Sequence, residues 1–516
     1  MALLAAAAPA SAAGFRLGVA AGEVTSSSAV LWTRADRPGT VTLRVSRDRR
    51  FRRGVTSYRL RARRSDDNTV QRRVRRLRAG RRYFYRFVRR RARSSRGTFV
   101  TAPRPNANAT VRFGWSGDTD FTRAPGESRP HWNGGGIFRR MMRERNHFNV
   151  HLGDTIYSDT EVPFPNGQPP PALSVRAKWA KYRLNLGNPN LRAMRAAAGI
   201  YTHWDDHEFV NDFSPAENVF DPSRAGPLVN VNGRTLYNRG VQAFTDYEPD
   251  RFTRSRGLYR SVRWGRNVEL FFLDQRSFRD AKASSTGVCN NPQTGRPDFA
   301  PTAPQRIRNT FALISPSLAQ PVPPACLAAI RSPDRSMLGA GQFNRVTRAV
   351  ARSTATWKII MNEVPIQQYY ILPYDAWEGY EAERQRLLTA LRNTRNVIFL
   401  TTDTHATLVN DARLSTFPEE GGTQNSGIFD FVVGPVATAN FALEIDETLG
   451  RPGSGNLARD AFLKQPPPNG PGARCAVVDQ FSYGEVRASR SRLTITAKGI
   501  NGRPLSDCAP LTLQRR

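Results

Sequence analysis

The sequence is short of several things that would carry chemistry. Only four cysteines and six histidines occur in 516 residues. The cysteines, Cys289, Cys326, Cys475 and Cys508, form no C-x-x-C pair, which argues against a zinc ribbon or a thioredoxin-like site. Even in number and widely spaced, they suit two disulfides in an exported protein. Shared local segments would pair Cys289 with Cys326 and Cys475 with Cys508; free buried thiols are the alternative. No run reaches the roughly 18 apolar residues of a membrane helix. Acidic residues are scarce, 43 against 77 basic, for a net charge of +34. Such a field attracts polyanions such as nucleic acid, anionic lipid or wall polymer. The basic residues are mostly Arg, which a genome rich in G and C also produces, so the charge specifies no nucleic-acid partner. There is no internal repeat.

The amino terminus lacks the basic residues that open a signal peptide. Residues 1–14 are otherwise apolar and Ala-rich, with Ala10-Ser11-Ala12 as a small-x-small cleavage pattern. They read as a signal-like segment cut short at its start, and place the mature protein in the cell envelope or outside the cell.

Hydrophobic residues, 39% of the chain, suffice for a sizeable core. Residues 15–104 alternate in short stretches such as Ala29–Thr33, Val41–Val45 and Arg82–Phe87. That pattern predicts an immunoglobulin-sized β-sandwich; it holds no His and no Cys and is assigned no chemistry. After a linker the pattern changes to buried strands alternating with helices over 108–516, an α/β domain with a mixed sheet or a pair of sheets. The whole chain is thus α+β/α/β. Strands are expected at 111–115, 148–152, 199–203, 268–273, 357–361, 397–400 and 429–433. Helices are expected at 173–186, 236–247, 342–352 and 380–391. Residues 279–334, rich in Pro, Ser and Ala, read as an insertion, a lid stapled by a disulfide. The Gly- and Pro-rich 449–474 reads as an exposed loop. Residues 475–516 return to strands at a sheet edge.

Four strand ends collect the chemistry. Strand 111–115 ends in Ser116-Gly117-Asp118-Thr119-Asp120, and 148–152 in Gly153-Asp154-Thr155-Ile156-Tyr157. Strand 199–203 ends in Trp204-Asp205-Asp206-His207-Glu208, and 397–400 in Thr401-Thr402-Asp403-Thr404-His405. Carboxyl ends of strands form the ligand crevice of open α/β sheets. Carboxylates this crowded resist ionising together, and oxygen-rich donors with an imidazole suit Fe, Mn, Ca or Zn. Gly114-Trp115-Ser116-Gly117 looks like a nucleophile elbow, but Asp118 stands where the final Gly belongs, which disfavours a serine hydrolase.

These motifs, in this order, resemble those of the metallophosphoesterase superfamily, and within it the PhoD-like alkaline phosphatase and phosphodiesterase family. The resemblance rests on His151-Leu152-Gly153-Asp154-Thr155-Ile156-Tyr157, Trp204 to Glu208, Asp274-Gln275-Arg276-Ser277 and Thr401 to His405. Thr402 stands in the place of the family's Gly. It also includes Gly18 to Glu23 and Val30 to Arg34, which match the family's fibronectin-like amino-terminal domain. The resemblance implies a four-layer αββα catalytic domain with a dinuclear centre of ferric iron and calcium, manganese or zinc being alternatives. Asp154 would bridge the metals. Tyr157, Asp120 and His405 would hold the iron, with Asp118 at the position of the family's usual cysteine. Asp206 and Asp403 would hold the calcium, with Asn211 as a further candidate. A bridging hydroxide, formed between metals about 3.5–4 Å apart, would attack phosphorus in line.

Arg276 would clamp a phosphate oxygen, unless it is a structural partner of Asp274. His207 would protonate the leaving group, unless it only orients a ligand carboxylate. Asp205 and Glu208 are expected to support the site, and His131, His147, His151 and His203 to be structural. The implied function is an exported phosphoric ester hydrolase acting on a small molecule, a lipid or a wall polymer. The alternative is a non-catalytic binder of anionic polymers on the same scaffold.

Overall fold

The computed structural model describes residues 14–221, 229–313 and 315–516; apart from Gly14, the signal-like segment lies outside them. Two mixed sheets dominate. The first runs Leu511–Gln514, Arg492–Gly499, Ser482–Ala488, Val111–Ser116, Phe148–Leu152, Gly199–His203, Val19–Gly22, Ala29–Arg34 and Thr69–Val74. The second runs Arg260–Trp264, Val268–Phe272, Trp357–Asn362, Val397–Thr401, Gln424–Val432, Thr407–Ser415 and Cys475–Val477. The expected strands thus form, and 475–516 supplies edge strands to both sheets.

Side-chain alternation along the strands builds four layers. Leu270 and Phe272 point between the sheets, where they share one apolar cluster with Phe113, Val150 and Leu152. Phe271 and Leu273 point the other way, onto Val346 and Val350 of helix Gly339–Arg352 and Leu387 and Leu388 of helix Glu381–Leu391. On the outer face of the first sheet, Ile200 meets Met194, Leu236 and Phe244 from helices Pro189–Ala197 and Gly233–Tyr247. Local sequence starts these helices: Ser174 accepts the Ala177 amide at 3.2 Å to open Val175–Leu186, and Asn188 precedes Pro189 at the first turn of the next.

Residues 15–104 form strands as the alternation predicts, but they divide. Five strands make their own sheet around Gly39–Ser46 and Arg82–Arg89. Three belong to the nine-stranded sheet, because Val19–Gly22 pairs in parallel with Gly199–His203, Ala21 facing Gly199. The boundary at 104 therefore separates two kinds of sequence and not two cores; Leu31, Tyr85 and Phe99 join the cluster that fills the space between the large sheets. The amino-terminal segment also braces the chemistry. Buried Glu23 pairs with Arg260 Nε at 2.8 Å, and Arg260 Nη2 donates to Thr202 O at 2.8 Å, just before the acidic stretch at 205–208.

The insertion 279–334 is held by the expected Cys289–Cys326 disulfide, and Cys475 is bonded to Cys508. Its Ala300, Ile307 and Leu318 pack with Tyr370, Phe417 and Phe441. The expected loop at 449–474 is instead partly helical, over Ser454–Ala458 and Arg459–Leu463. Buried Phe462 and Leu463 anchor it in the same cluster, a driving force that Gly and Pro content conceals. No helix of the described residues is long and apolar enough to cross a membrane.

Candidate metal centre

The four motif-bearing strands end on one edge of the two facing sheets. Beyond those ends the backbone turns sharply. Asp118, Asp154, Asp403 and His405 have φ of 58°, 48°, 69° and 53°, in the left-handed region that non-glycine residues occupy rarely and that clusters at functional sites. Gly153, at φ 79°, is required where it stands: a Cβ there would lie 2.7 Å from Asp205 Cβ. Thr402, in the place of the family's Gly, donates to Leu152 O at 2.7 Å and so ties the second sheet to the first. Gly117 leaves room for it, since a Cβ on Gly117 would lie 2.8 Å from Thr402 Cβ. The Asp403 amide donates to Asp118 Oδ1 at 3.2 Å and adds a second tie.

Two donor groups meet in this crevice. In one, single donor atoms of Asp118, Asp154 and His405 lie within 4.8 Å of one another. The Tyr157 hydroxyl joins them, 3.0 Å from His405 Nε2 and 3.4 Å from Asp154 Oδ2. In the other, Asp205, Asp206 and Asp403 converge equally closely, and Asp206 also converges with Asp154 and His207. Asp154 thus belongs to both sides.

The donors fit cations. Asp118 Oδ2, Asp205 Oδ2 and Asp206 Oδ1 are buried and accept no hydrogen bond, a costly condition for carboxylate oxygens unless something positive faces them. Burial, then repulsion from Asp206, raises the Asp154 carboxyl well above its ordinary range. Burial, then Asp205 and Asp206, does the same to Asp403. Oxygen-rich donors joined by imidazole and phenol suit hard or borderline cations.

His207 stacks on Tyr157, with ring centroids 3.9 Å apart. Its Nδ1 lies 2.8 Å from Asp159 Oδ1 and its Nε2 lies 3.5 Å from Glu161 Oε1. Burial pushes this imidazole down, but Asp206, Asp159 and Asp154 outweigh it and hold the pKa well above its ordinary value. His405 turns its Nδ1 to Glu444, leaving Nε2 toward Tyr157; a carboxylate on the far nitrogen is the usual way to orient a ligating imidazole. Glu208 clasps two motif turns, accepting from the Thr155 amide at 2.6 Å and the Asp205 amide at 2.8 Å.

Two expectations need correction. Asp120 is not in either group: its oxygens accept from the Thr122 amide at 2.8 Å and from Thr160 Oγ1. Asn211 is exposed, and its amide donates to Asp159 Oδ2 at 2.6 Å; the neighbouring Asp212 lies instead among the acids, with Asp206 and Asp375. The guanidinium of Arg276 is only partly engaged, since Nη2 is buried and donates no hydrogen bond. Its Nε lies 2.5 Å from Asp205, Nη1 2.8 Å and Nη2 2.7 Å from Asp375. Only its backbone amide bonds Asp274, at 3.2 Å. Nη2 stands 3.9 Å from both Asp206 and Asp403, so its charge reaches the second group.

His131, His147, His151 and His203 lie outside the donor groups found among the described residues. Sequence reasoning missed Asp159, Glu161, Asp212, Asp375 and Glu444. The first two follow Tyr157 so closely that an acidic run after a motif was the available signal; Asp375 and Glu444 arrive from a distant loop and helix and offered none.

Comparisons with known proteins give the family and the fold. Residues 126–496 match the family model of the PhoD-like phosphatases, and residues 2–103 match the PhoD-like phosphatase N-terminal domain. Alkaline phosphatase D of Bacillus subtilis (strain 168) is 25% identical over 428 residues, 76% of this chain but 64% of that protein. A solved structure of PhoD superposes with a TM-score of 0.72 at 20% identity, covering 98% of this chain and 91% of the other. Purple acid phosphatase PPD1 from yellow lupin (Lupinus luteus) seeds gives 0.57 at 12% identity, over 96% of this chain and 74% of its own. At these identities the two structures speak for the fold alone.

Proposed function

Because the chain belongs to the PhoD-like phosphatase family, we propose that it is an exported, metal-dependent phosphoric ester hydrolase. The observation that carries this reading is Asp154, shared between two donor groups in which buried oxygens of Asp118, Asp205 and Asp206 lack hydrogen-bond partners. Asp118, Tyr157, Asp154 and His405 would hold ferric iron; Asp154, Asp206 and Asp403 would hold calcium, with Asp205 beside them. When bound, such a pair supplies an acidified water as nucleophile and neutralises charge on the phosphoryl oxygens.

The chain's own residues do the rest. Asp159 holds His207 Nδ1, so that Nε2 faces the mouth and can protonate the departing ester oxygen. Arg276 acts through its charge, offsetting Asp205 and Asp375 while its Nη2 edge faces Asp206 and Asp403. Tyr157 shields one face of His207. The convergence of Asp118, Asp154 and His405 with Asp206 and Asp403 supports the enzyme over the binding-only alternative. The two disulfides and the signal-like segment support export. The test is hydrolysis of a chromogenic phosphodiester and monoester by the purified protein before and after chelation. Activity lost on chelation and restored by iron with calcium is expected; metal-independent turnover would refute the reading.

A further inference from the structure

The partly exposed side chains around the centre mark its mouth. Asp159, Glu161, Asp403 and Glu444 are 28%, 25%, 27% and 35% exposed, while Asp118, Asp154 and Asp206 lie on the buried floor. In a chain of net charge +34, the rim of this crevice is acidic. Three of the four have occupations already described: Asp159 holds His207, Glu444 holds His405, and Asp403 belongs to a donor group. Glu161 does not. It turns one oxygen to Thr438 Oγ1 and the other toward His207 Nε2, 3.5 Å away, the nitrogen assigned to the departing ester oxygen.

Its segment is built to keep it there. Thr160 Oγ1 donates to Asp120, the Val162 amide bonds Thr160 Oγ1 at 3.2 Å, and Val162 itself is buried. Asp120, which joins neither donor group, thereby has a part in the site: it anchors the turn that presents Glu161.

We propose that Glu161 is a specificity-determining residue, a fixed carboxylate that disfavours phosphomonoester dianions and directs the site to phosphodiesters. This rests on the hydrolase reading above. A diester carries one negative charge shared by two terminal oxygens; a monoester at neutral or alkaline pH carries two charges over three. Repulsion scales with the product of the charges and is weakly screened at a few ångströms in a crevice. The carboxylate therefore costs the dianion more than the monoanion, and a group placed to repel the wrong ligand is a common source of selectivity.

The experiment compares metal-loaded wild type, Glu161→Gln and Glu161→Asp on bis(p-nitrophenyl) phosphate and p-nitrophenyl phosphate, which share a leaving group. Calorimetry with inorganic phosphate reports binding apart from turnover. The wild type should favour the diester in kcat/KM by about tenfold or more, and Glu161→Gln should raise the monoester value by about tenfold while moving the diester value much less. Glu161→Gln should also bind inorganic phosphate more tightly, and Glu161→Asp should keep the wild-type preference. A wild type that prefers the monoester, equal changes on both substrates, or unchanged phosphate affinity in Glu161→Gln would overturn the proposal. If Glu161→Gln does not fold, the wild-type ratio and its retention in Glu161→Asp decide. If metal-loaded wild type hydrolyses neither ester, the hydrolase reading fails, and phosphate affinity still judges Glu161.

Discussion

The two donor groups that meet at Asp154 differ in kind. One combines carboxylates with the His405 imidazole and the Tyr157 phenol; the other is mostly carboxylate, with the His207 imidazole beside Asp154 and Asp206 and the Arg276 guanidinium behind it. The first is oriented by hydrogen bonds to neutral or ionisable partners, the second by opposing charge. One crevice can thus present two chemically distinct cation sites while sharing a single ligand. The difference is written in side-chain types and not in the fold, since strands of both large sheets end at both groups.

Five substitutions break or sharpen this contrast. Asp154→Asn is expected to have the largest effect, loss of both metals and of turnover by about a thousandfold or more with the thermal midpoint retained. Loss of one metal alone, measured by elemental analysis, would mean that Asp154 is not shared. Next, Asp206→Asn should release calcium but keep the violet charge-transfer band of an iron phenolate, whereas Tyr157→Phe should abolish that band and keep calcium. Identical outcomes for the two would erase the distinction between the groups.

A smaller effect is expected for Glu444→Gln. Weakening the His405 Nδ1 contact should lower iron affinity by about 10–100-fold, the usual range for a partner of a ligating imidazole, and leave calcium titration unchanged. Smallest of all, Asp120→Asn should release neither metal. It should cost about 1–2 kcal/mol of stability through the weakened Thr160 and Thr122 contacts, read from denaturant melts; loss of iron would restore Asp120 as a ligand.

The strands at 148–152 and 199–203 were legible to the residue because a short apolar run met a turn signal at its end. Helix Gly136–Arg143 was not. Its stripe of Ile137, Phe138 and Met141 is buried, but Arg139, Arg140 and Arg143 dilute the period. In the centre, ligands adjoining a strand end could be read, since local order delivers them. Of the residues that orient those ligands, Glu208 could be read from its motif, but Asp375 and Glu444 could not, because they reach the crevice only through tertiary packing. Arg276 shows the limit from the other side. Its position was readable, but its role depended on Asp375, a partner 99 residues away in sequence.

The central claim is that catalysis needs cations held around Asp154. Metal content and diesterase activity measured on the same purified sample, through verified chelation and stepwise return of iron and calcium, test it most directly. The account predicts two metal ions per chain, activity falling with their removal, and recovery only when both are restored. Full activity in a sample shown to be metal-free would contradict it.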